Sequence, residues 1–214
     1  MNEVRALICD MDGVLADTEP LFYLATCDAL APRVLTEDEY ALFIGTRGLD
    51  EWLSATYDLP SDFLEVPVAP AYYEAITRGL PAFAGAVALL ETAHARGLAV
   101  AVASTSSHTS IDLTLGAAGL RDYFPLVVSA SDVAHGKPAP DIYLYTARLL
   151  GVPPESCIAI EDSLHGIVSA SAAGMRVVQS RQAAFVTPPH PSAHAVIKTL
   201  EAFKRGWLDG EALG

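Results

Sequence analysis

The chain has 214 residues, 51% of them hydrophobic and 18% charged, which is enough to bury a sizeable core and too apolar for global disorder. A formal net charge of −13 argues against nucleic acid or an anionic membrane surface as partner. No apolar run approaches the ~20 residues that span a bilayer and no signal-peptide pattern opens the chain, so a soluble cytoplasmic protein, monomeric by default, is expected.

The first apolar run, "RALICD" (5–10), reads as a buried strand and runs into two aspartates, Asp10 and Asp12, ahead of Gly13. Positions i and i+2 of an extended chain face the same side, which sets their carboxylates roughly 6–7 Å apart. At an effective dielectric of about 20 that repulsion is on the order of 2–3 kcal/mol, to be offset by water, a cation or a shared proton. Residues 18–79 then read as helices with no strand between them: "TEPLFYLATCDALA", "TEDEYALF", "GLDEWLSATYDL" and "PAYYEAITRGL". Asp17 and Thr18 are placed to cap the first of these, and Trp52, Tyr72 and Tyr73 to fill a small core of the insert's own.

From residue 81 strands and helices alternate. "LAVAVAS" (98–104), "LVVSA" (126–130), "CIAIED" (157–162) and "RVVQS" (176–180) are strand-like, separated by "AGAVALLETAHARG", "TSIDLTLGAAGL", "PDIYLYTARLLG" and "SLHGIVSASAAG". Gly97, Gly151 and Gly174 end helices, and Pro140 starts one. After the proline-rich loop "TPPHPSAH", the stretch "AVIKTLEAFKRGW" is predicted to be a closing helix. The order implies an α/β fold: a doubly wound parallel sheet from 1–17 and 80–214, with a small helical cap, 18–79, inserted after the first strand. Cys9, Cys27 and Cys157 have neither CxxC nor zinc spacing, and the two in strand-like runs, Cys9 and Cys157, read as small buried hydrophobes.

In an open parallel sheet, ligands bind beyond the carboxyl ends of the strands. Those ends carry Asp10 and Asp12, then Ser104, Thr105 and Ser106, then a loop with Lys137, then Glu161 and Asp162. Acidic pairs on one edge suggest a hard cation on oxygen ligands, most simply Mg²⁺. A lysine with hydroxyls at a helix start suggests a bound phosphoryl group. Lys137 is one of only three lysines, so its place at this edge is informative. No GxxxxGK[ST] or GxGxxG pattern is present, which leaves a carboxylate as the economical nucleophile. Asp10 would attack phosphorus, and Asp12 would protonate the leaving oxygen and then activate water. His108 and His135 lie near this edge and read as solvated loop residues.

"DMDGVLADTEP" resembles the first motif of the haloacid dehalogenase-like (HAD) hydrolases, in the subgroup with a small helical cap that includes β-phosphoglucomutase and sugar-phosphate phosphatases. "VASTSS" (102–107), "GKPAPDIYL" (136–144) and "IEDSLHGIVSASAAGM" (160–175) resemble the second, third and fourth motifs, in order. The resemblance implies a Rossmann-like core and an aspartyl-phosphate on Asp10. It implies Mg²⁺ held by Asp10, a backbone carbonyl of Asp12, and Asp162, with Glu161 direct or through water. Ser104, Thr105 and Lys137 would bind phosphoryl oxygens, and Arg47, in "FIGTRGLDEW", would reach the substrate from the cap. A mutase needs a second anion clamp, yet residues 18–78 hold only Arg33, Arg47 and Arg78 against eleven acidic residues. A phosphatase acting on a small phosphorylated metabolite, a sugar or sugar-alcohol phosphate, is therefore expected ahead of a mutase. A phospho-aspartate receiver module is the remote alternative, because a long-lived phosphoaspartate has no use for Asp12.

Overall fold

The apolar runs pack into the core, and their side chains divide between two layers with the period of two that an extended chain imposes. Leu7 and Cys9 face one layer of core, Ala6 and Ile8 the other. The computed structural model describes residues 3–46 and 48–213 and forms these runs into one parallel sheet. Its strands are β1 (Ala6–Cys9), β2 (Ala99–Ser104), β3 (Leu126–Ser129), β4 (Cys157–Glu161), β5 (Arg176–Ser180) and β6 (Ala195–Ile197), in the order β3-β2-β1-β4-β5-β6. Helices α5 (Ala86–Ala95) and α6 (His108–Ala117) cover one face, through Leu89, Leu90, Ile111 and Leu115. Helices α7 (Asp141–Leu150) and α8 (Leu164–Ala172) cover the other, through Ile142, Tyr143, Ala147 and Ile167. This is the α/β doubly wound architecture expected from the alternation.

Between β1 and α5 the chain forms α1 (Glu19–Leu30), α2 (Glu37–Ala41), α3 (Leu49–Tyr57), a π-turn at Leu64–Val68, and α4 (Ala69–Thr77). These have a hydrophobic cluster of their own, built on Leu30, Leu53, Val68, Tyr72 and Ile76. Phe185, from the loop after β5, stacks edge-on to Tyr23 and tilted on Tyr40, at 5.8 and 5.3 Å. That contact ties the helical insert to the sheet end carrying the acidic residues.

The predicted closing helix is not formed. "AVI" becomes β6, paired with the open edge of β5 through Val178↔Ala195 and Ser180↔Ile197. Two 3-10 turns, Leu200–Ala202 and Arg205–Trp207, follow it. The apolar spacing that reads as helical still buries Ile197, Leu200, Phe203 and Trp207. What decided the backbone is the unpaired edge of β5, whose peptide groups bond a short β-branched segment better than water does. No described helix is long and apolar enough to cross a membrane.

Candidate active site

β1 and β4 are neighbours in register, Cys9 opposite Ile160, and the sheet order reverses between them. At such a switch point the loops leave in opposite directions and open a crevice. Asp10 continues the β1 ladder, its N–H donating to the Ile160 carbonyl at 2.9 Å, so its carboxylate lies directly beside the end of β4. Asp10, Glu161 and Asp162 are all buried and bring carboxylate oxygens within 4.8 Å of one another.

Lys137, from the loop before α7, is the described counter-charge. Its ammonium donates to Asp10 Oδ1 at 2.5 Å, Glu161 Oε1 at 2.6 Å and the Ala103 carbonyl at 3.1 Å, which occupies all three protons. Glu161 is saturated. Oε1 also accepts from the Tyr143 hydroxyl at 2.7 Å, and Oε2 accepts from the Asp162 and Ser163 N–H groups and the Ser163 hydroxyl at 3.1–3.3 Å. The first turn of α8 presses on this carboxylate so closely that a Cβ at Gly166 would lie 1.8 Å from Oε1. Glu161 thus anchors Lys137, and its oxygens have little capacity left for direct ligation.

One ammonium does not balance three buried carboxylates. Burial pushes the Asp10 carboxyl well up; Lys137 pulls it down and Glu161 pushes it up again. Asp162 is raised in the same way, by burial and then by Glu161 and Asp10. Burial acts to lower the Lys137 ammonium, but Asp10 and Glu161 outweigh it and hold it above its usual value. An all-oxygen donor set short of positive charge fits a hard divalent cation, and Asp10 and Asp162 are the groups with oxygens to offer.

Asp12 has a different environment. Gly13 follows it with φ +77°, and a Cβ there would sit 2.1 Å from Asp162 Oδ2, so only glycine lets the chain turn so close to that carboxylate. Asp12 Oδ1 accepts from the Thr18 hydroxyl at 2.5 Å, and Oδ2 from the hydroxyls of Ser104 at 3.1 Å and Ser106 at 2.8 Å. Hydroxyls donate to a carboxylate and accept from a carboxylic acid, so one cradle suits both protonation states. Thr18 was expected to cap α1. It does occupy the N-cap position, but its side chain makes no cap bond and serves Asp12. Asp17 accepts from the Ala184 N–H.

Two cavities meet at Asp12. A space of about 10 Å³, close to one water, touches Asp10, Asp12, Thr105 and Asp162. A chamber of about 480 Å³ runs from Asp12 into the helical insert. Thr105 lines both, whereas Ser104 is fully buried and lines neither. Gly45 closes over Ser163, where a Cβ would lie 2.5 Å from the hydroxyl. Arg47 lies outside the described residues. His108 and His135 pair with Asp132 and Asp141 and line neither cavity. Tyr72 and Tyr73 line the chamber, and Trp52 packs between Phe43 and Tyr57.

Sequence reasoning missed Thr18, Tyr143 and Glu19. Glu19, in the first turn of α1, lines both cavities and accepts from the Tyr40 hydroxyl. Burial pushes its carboxyl up to about 7, the charge of Asp12 adding to this. A signal existed for Tyr143: it shares the buried face of α7 with Ile142, Thr146 and Ala147, and a buried tyrosine hydroxyl needs a partner.

A family model described as haloacid dehalogenase-like hydrolase matches residues 4–174. Protein CbbY of Rhodobacter capsulatus is 34% identical over 192 residues, covering 82% of this chain and 85% of CbbY. Hexitol phosphatase B of Escherichia coli (strain K12) is 34% identical over 188 residues, covering 83% of each chain. Among solved structures, a mutant of CbbY from Rhodobacter sphaeroides in complex with xylulose-(1,5)bisphosphate is similar with a TM-score of 0.84 and 26% identity, over 93% of this chain and 96% of that one.

Proposed function

The chain belongs to the haloacid dehalogenase-like hydrolases, and from that premise we propose that it is a phosphatase releasing phosphate from a small phosphorylated metabolite, of the sugar or sugar-alcohol phosphate class, with Asp10 as nucleophile. Its named relatives include a hexitol phosphatase, which supports both the activity and the substrate class. The observation that carries the assignment of roles is the contrast between the two aspartates. Asp10 lies among Lys137, Glu161 and Asp162, and Asp12 among three hydroxyls.

In this reading Asp10 attacks phosphorus as the bond from phosphorus to the ester oxygen breaks, and Asp12 gives its proton to that oxygen. Water then attacks the aspartyl-phosphate, Asp12 takes up its proton, and inorganic phosphate leaves with Asp10 restored. Thr105 faces the reacting space, and Ser104 acts through Asp12 in the arrangement described. Lys137 holds Asp10 in place and would exchange one of its three acceptors for a phosphoryl oxygen. Phosphatases of this family generally use Mg²⁺; here Asp10, Asp162 and the backbone of Asp12 would hold it, with Glu161 behind them, and it would neutralise phosphoryl charge. Residues 18–79 serve as the cap that excludes water from the first step, and Arg47 is retained as a substrate contact on its position in the sequence.

The test is phosphate release from a panel of phosphorylated sugars, polyols and small acids, with Mg²⁺ and with EDTA, using Asp10→Asn as the blank. Mg²⁺-dependent release that vanishes in the variant is expected. Release surviving Asp10→Asn would overturn the assignment of the nucleophile.

A further inference from the structure

Of the three hydroxyls on Asp12, two stand on regular structure: Ser104 ends β2 and Thr18 immediately precedes α1. Ser106 lies in the short loop between β2 and α6, where neither a ladder nor a helix sets its backbone, yet its hydroxyl donates to Asp12 Oδ2 at 2.8 Å. Its other polar groups are held from outside. The N–H donates to Ser104 Oγ at 3.0 Å, and the carbonyl accepts from the Ser129 hydroxyl at 2.8 Å. Ser129 ends β3, is paired in register with Ser104 and is buried. The direction of its bond is fixed by valence. The N–H and the hydroxyl of Ser131 both donate to Ser129 Oγ, at 3.1 and 2.8 Å, and fill its lone pairs, so its one proton goes to Ser106. Asp132 anchors Ser129 in turn. Its Oδ2 accepts from the Ser129 N–H at 2.9 Å, and its Oδ1 lies 3.0 Å from Nε2 of His108, the first residue of α6. Burial acts to raise the Asp132 carboxyl, but His108 and the Ser129 N–H outweigh it and hold it below its usual value. A capping turn at the end of β3 explains why Asp132 and Ser131 bond Ser129. It does not explain the proton sent across to Ser106 or the contact with His108, which both tie β3 to the segment whose hydroxyl faces Asp12.

We propose that Ser129 and Asp132 are positioning residues for proton transfer by Asp12, holding the Ser106 peptide so that its hydroxyl stays on Oδ2. This rests on the phosphatase reading, in which Asp12 is the acid/base, and deepens it. Ser104 and Ser106 together occupy both lone pairs of Oδ2, whereas Oδ1 receives only Thr18. The proton that Asp12 gives and takes is therefore carried on Oδ1, and the carboxyl keeps one orientation. Without Ser129 the Ser106 peptide loses the bond on its carbonyl, its hydroxyl is free to leave Oδ2, and the proton and the orientation are no longer fixed.

The experiment compares a hexitol monophosphate with p-nitrophenyl phosphate in the Mg²⁺-loaded enzyme, for wild type, Ser129→Ala, Asp132→Ala and Asp132→Asn. An alkoxide leaving group needs a proton as it departs, whereas p-nitrophenolate leaves as a stabilised anion, so only the alkyl ester depends on Asp12 up to the departure that kcat/KM reports. In Ser129→Ala, kcat/KM for the hexitol ester should fall about tenfold, through kcat with KM nearly constant, and that for the aryl ester less than about twofold. Asp132→Ala should do the same, and Asp132→Asn, which keeps an oxygen for the Ser129 N–H, should restore most of the loss. A merely structural role would lower both esters alike, which would overturn the proposal. A fall carried by KM would make Ser129 a substrate contact and overturn it as well, and failure of Asp132→Asn to restore activity would strike Asp132 from the assignment. If no ester turns over, the phosphatase reading fails separately, and hydrogen exchange at the Ser106 N–H decides whether Ser129 holds this peptide. Exchange about tenfold faster in Ser129→Ala, with the β1 amides unchanged, supports that hold, and unchanged exchange overturns it.

Discussion

Replacing Lys137 by methionine keeps the aliphatic stem and removes the only ammonium beside Asp10 and Glu161 among the described residues. Its contacts at 2.5 and 2.6 Å are each worth about 6–7 kcal/mol of gross attraction at an effective dielectric of about 20. The cost of desolvating the three charges cancels most of this, and removing one partner of a buried ionic group leaves a loss of about 3–5 kcal/mol. For a chain of this length each kcal/mol moves Tm by about 2–4 °C, so Lys137→Met should unfold about 6–20 °C lower in metal-free buffer at pH 7.5, read by circular dichroism. The pH dependence has a definite sign. Burial already raises the Asp10 carboxyl, and the variant removes the influence of Lys137 that lowers it. A raised carboxyl keeps its proton in the folded state while the unfolded chain ionises near pH 4, so the penalty grows as pH rises and vanishes toward acid. The gap between variant and wild type should therefore narrow as pH falls. Mg²⁺ should raise the Tm of the variant more than that of wild type. A gap under 2 °C at pH 7.5, or one that widens toward acid, would refute the claim that Lys137 is what holds these carboxylates together.

Thr18→Val removes one of the three hydroxyls on Asp12 with little change of shape, and kcat should fall about tenfold, the worth of one hydrogen bond, with KM nearly constant; steady-state kinetics on the best substrate checks it. Burial holds the Glu19 carboxyl at about 7, so wild-type stability should decline as pH rises from about 4.3 to about 7, where the unfolded chain has lost a proton that the folded chain keeps. Glu19→Gln should flatten that decline in Tm measured in EDTA. The net charge of −13 repels an anionic substrate at long range. Raising an inert salt from 0.01 to 0.1 M, at fixed Mg²⁺, shortens the Debye length from about 30 to about 10 Å and should increase kcat/KM several-fold, opposite in sign to an enzyme with a basic funnel.

Legibility followed the range of the interactions involved. The five longer strands were readable because each is a largely apolar run packed into the core, and β1 to β5 fall inside the predicted segments. β6 was not readable, because "AVI" is too short to declare a period and its pairing is dictated by an edge 17 residues away, at Val178. The same holds within the site. Asp10, Asp12, Lys137, Glu161 and Asp162 stand at strand ends or in the adjoining loops, where topology alone flags them. Thr18 looked like a helix cap because capping is a local signal, and nothing local announces that Asp12 takes its hydroxyl instead.

The acidic pair that first draws attention is for this reason not the main source of strain. Two residues apart along a strand, Asp10 and Asp12 are separated by roughly 6–7 Å, whereas adjacent strands lie only about 4.8 Å apart. Pairing β1 with β4 therefore brings Glu161 and Asp162 closer to Asp10 than its own neighbour in sequence. The order of influences on Asp10 reflects this: burial, Lys137 and Glu161 all act more strongly on it than Asp12 does. Asp12, followed by the Gly13 turn, is left among three hydroxyls and outside the cluster of Lys137, Glu161 and Asp162. The sheet gives one aspartate a crowded, acidic environment short of positive charge and the other a set of three hydroxyl donors. Two identical side chains two positions apart can thus be the nucleophile and the acid/base of a single reaction.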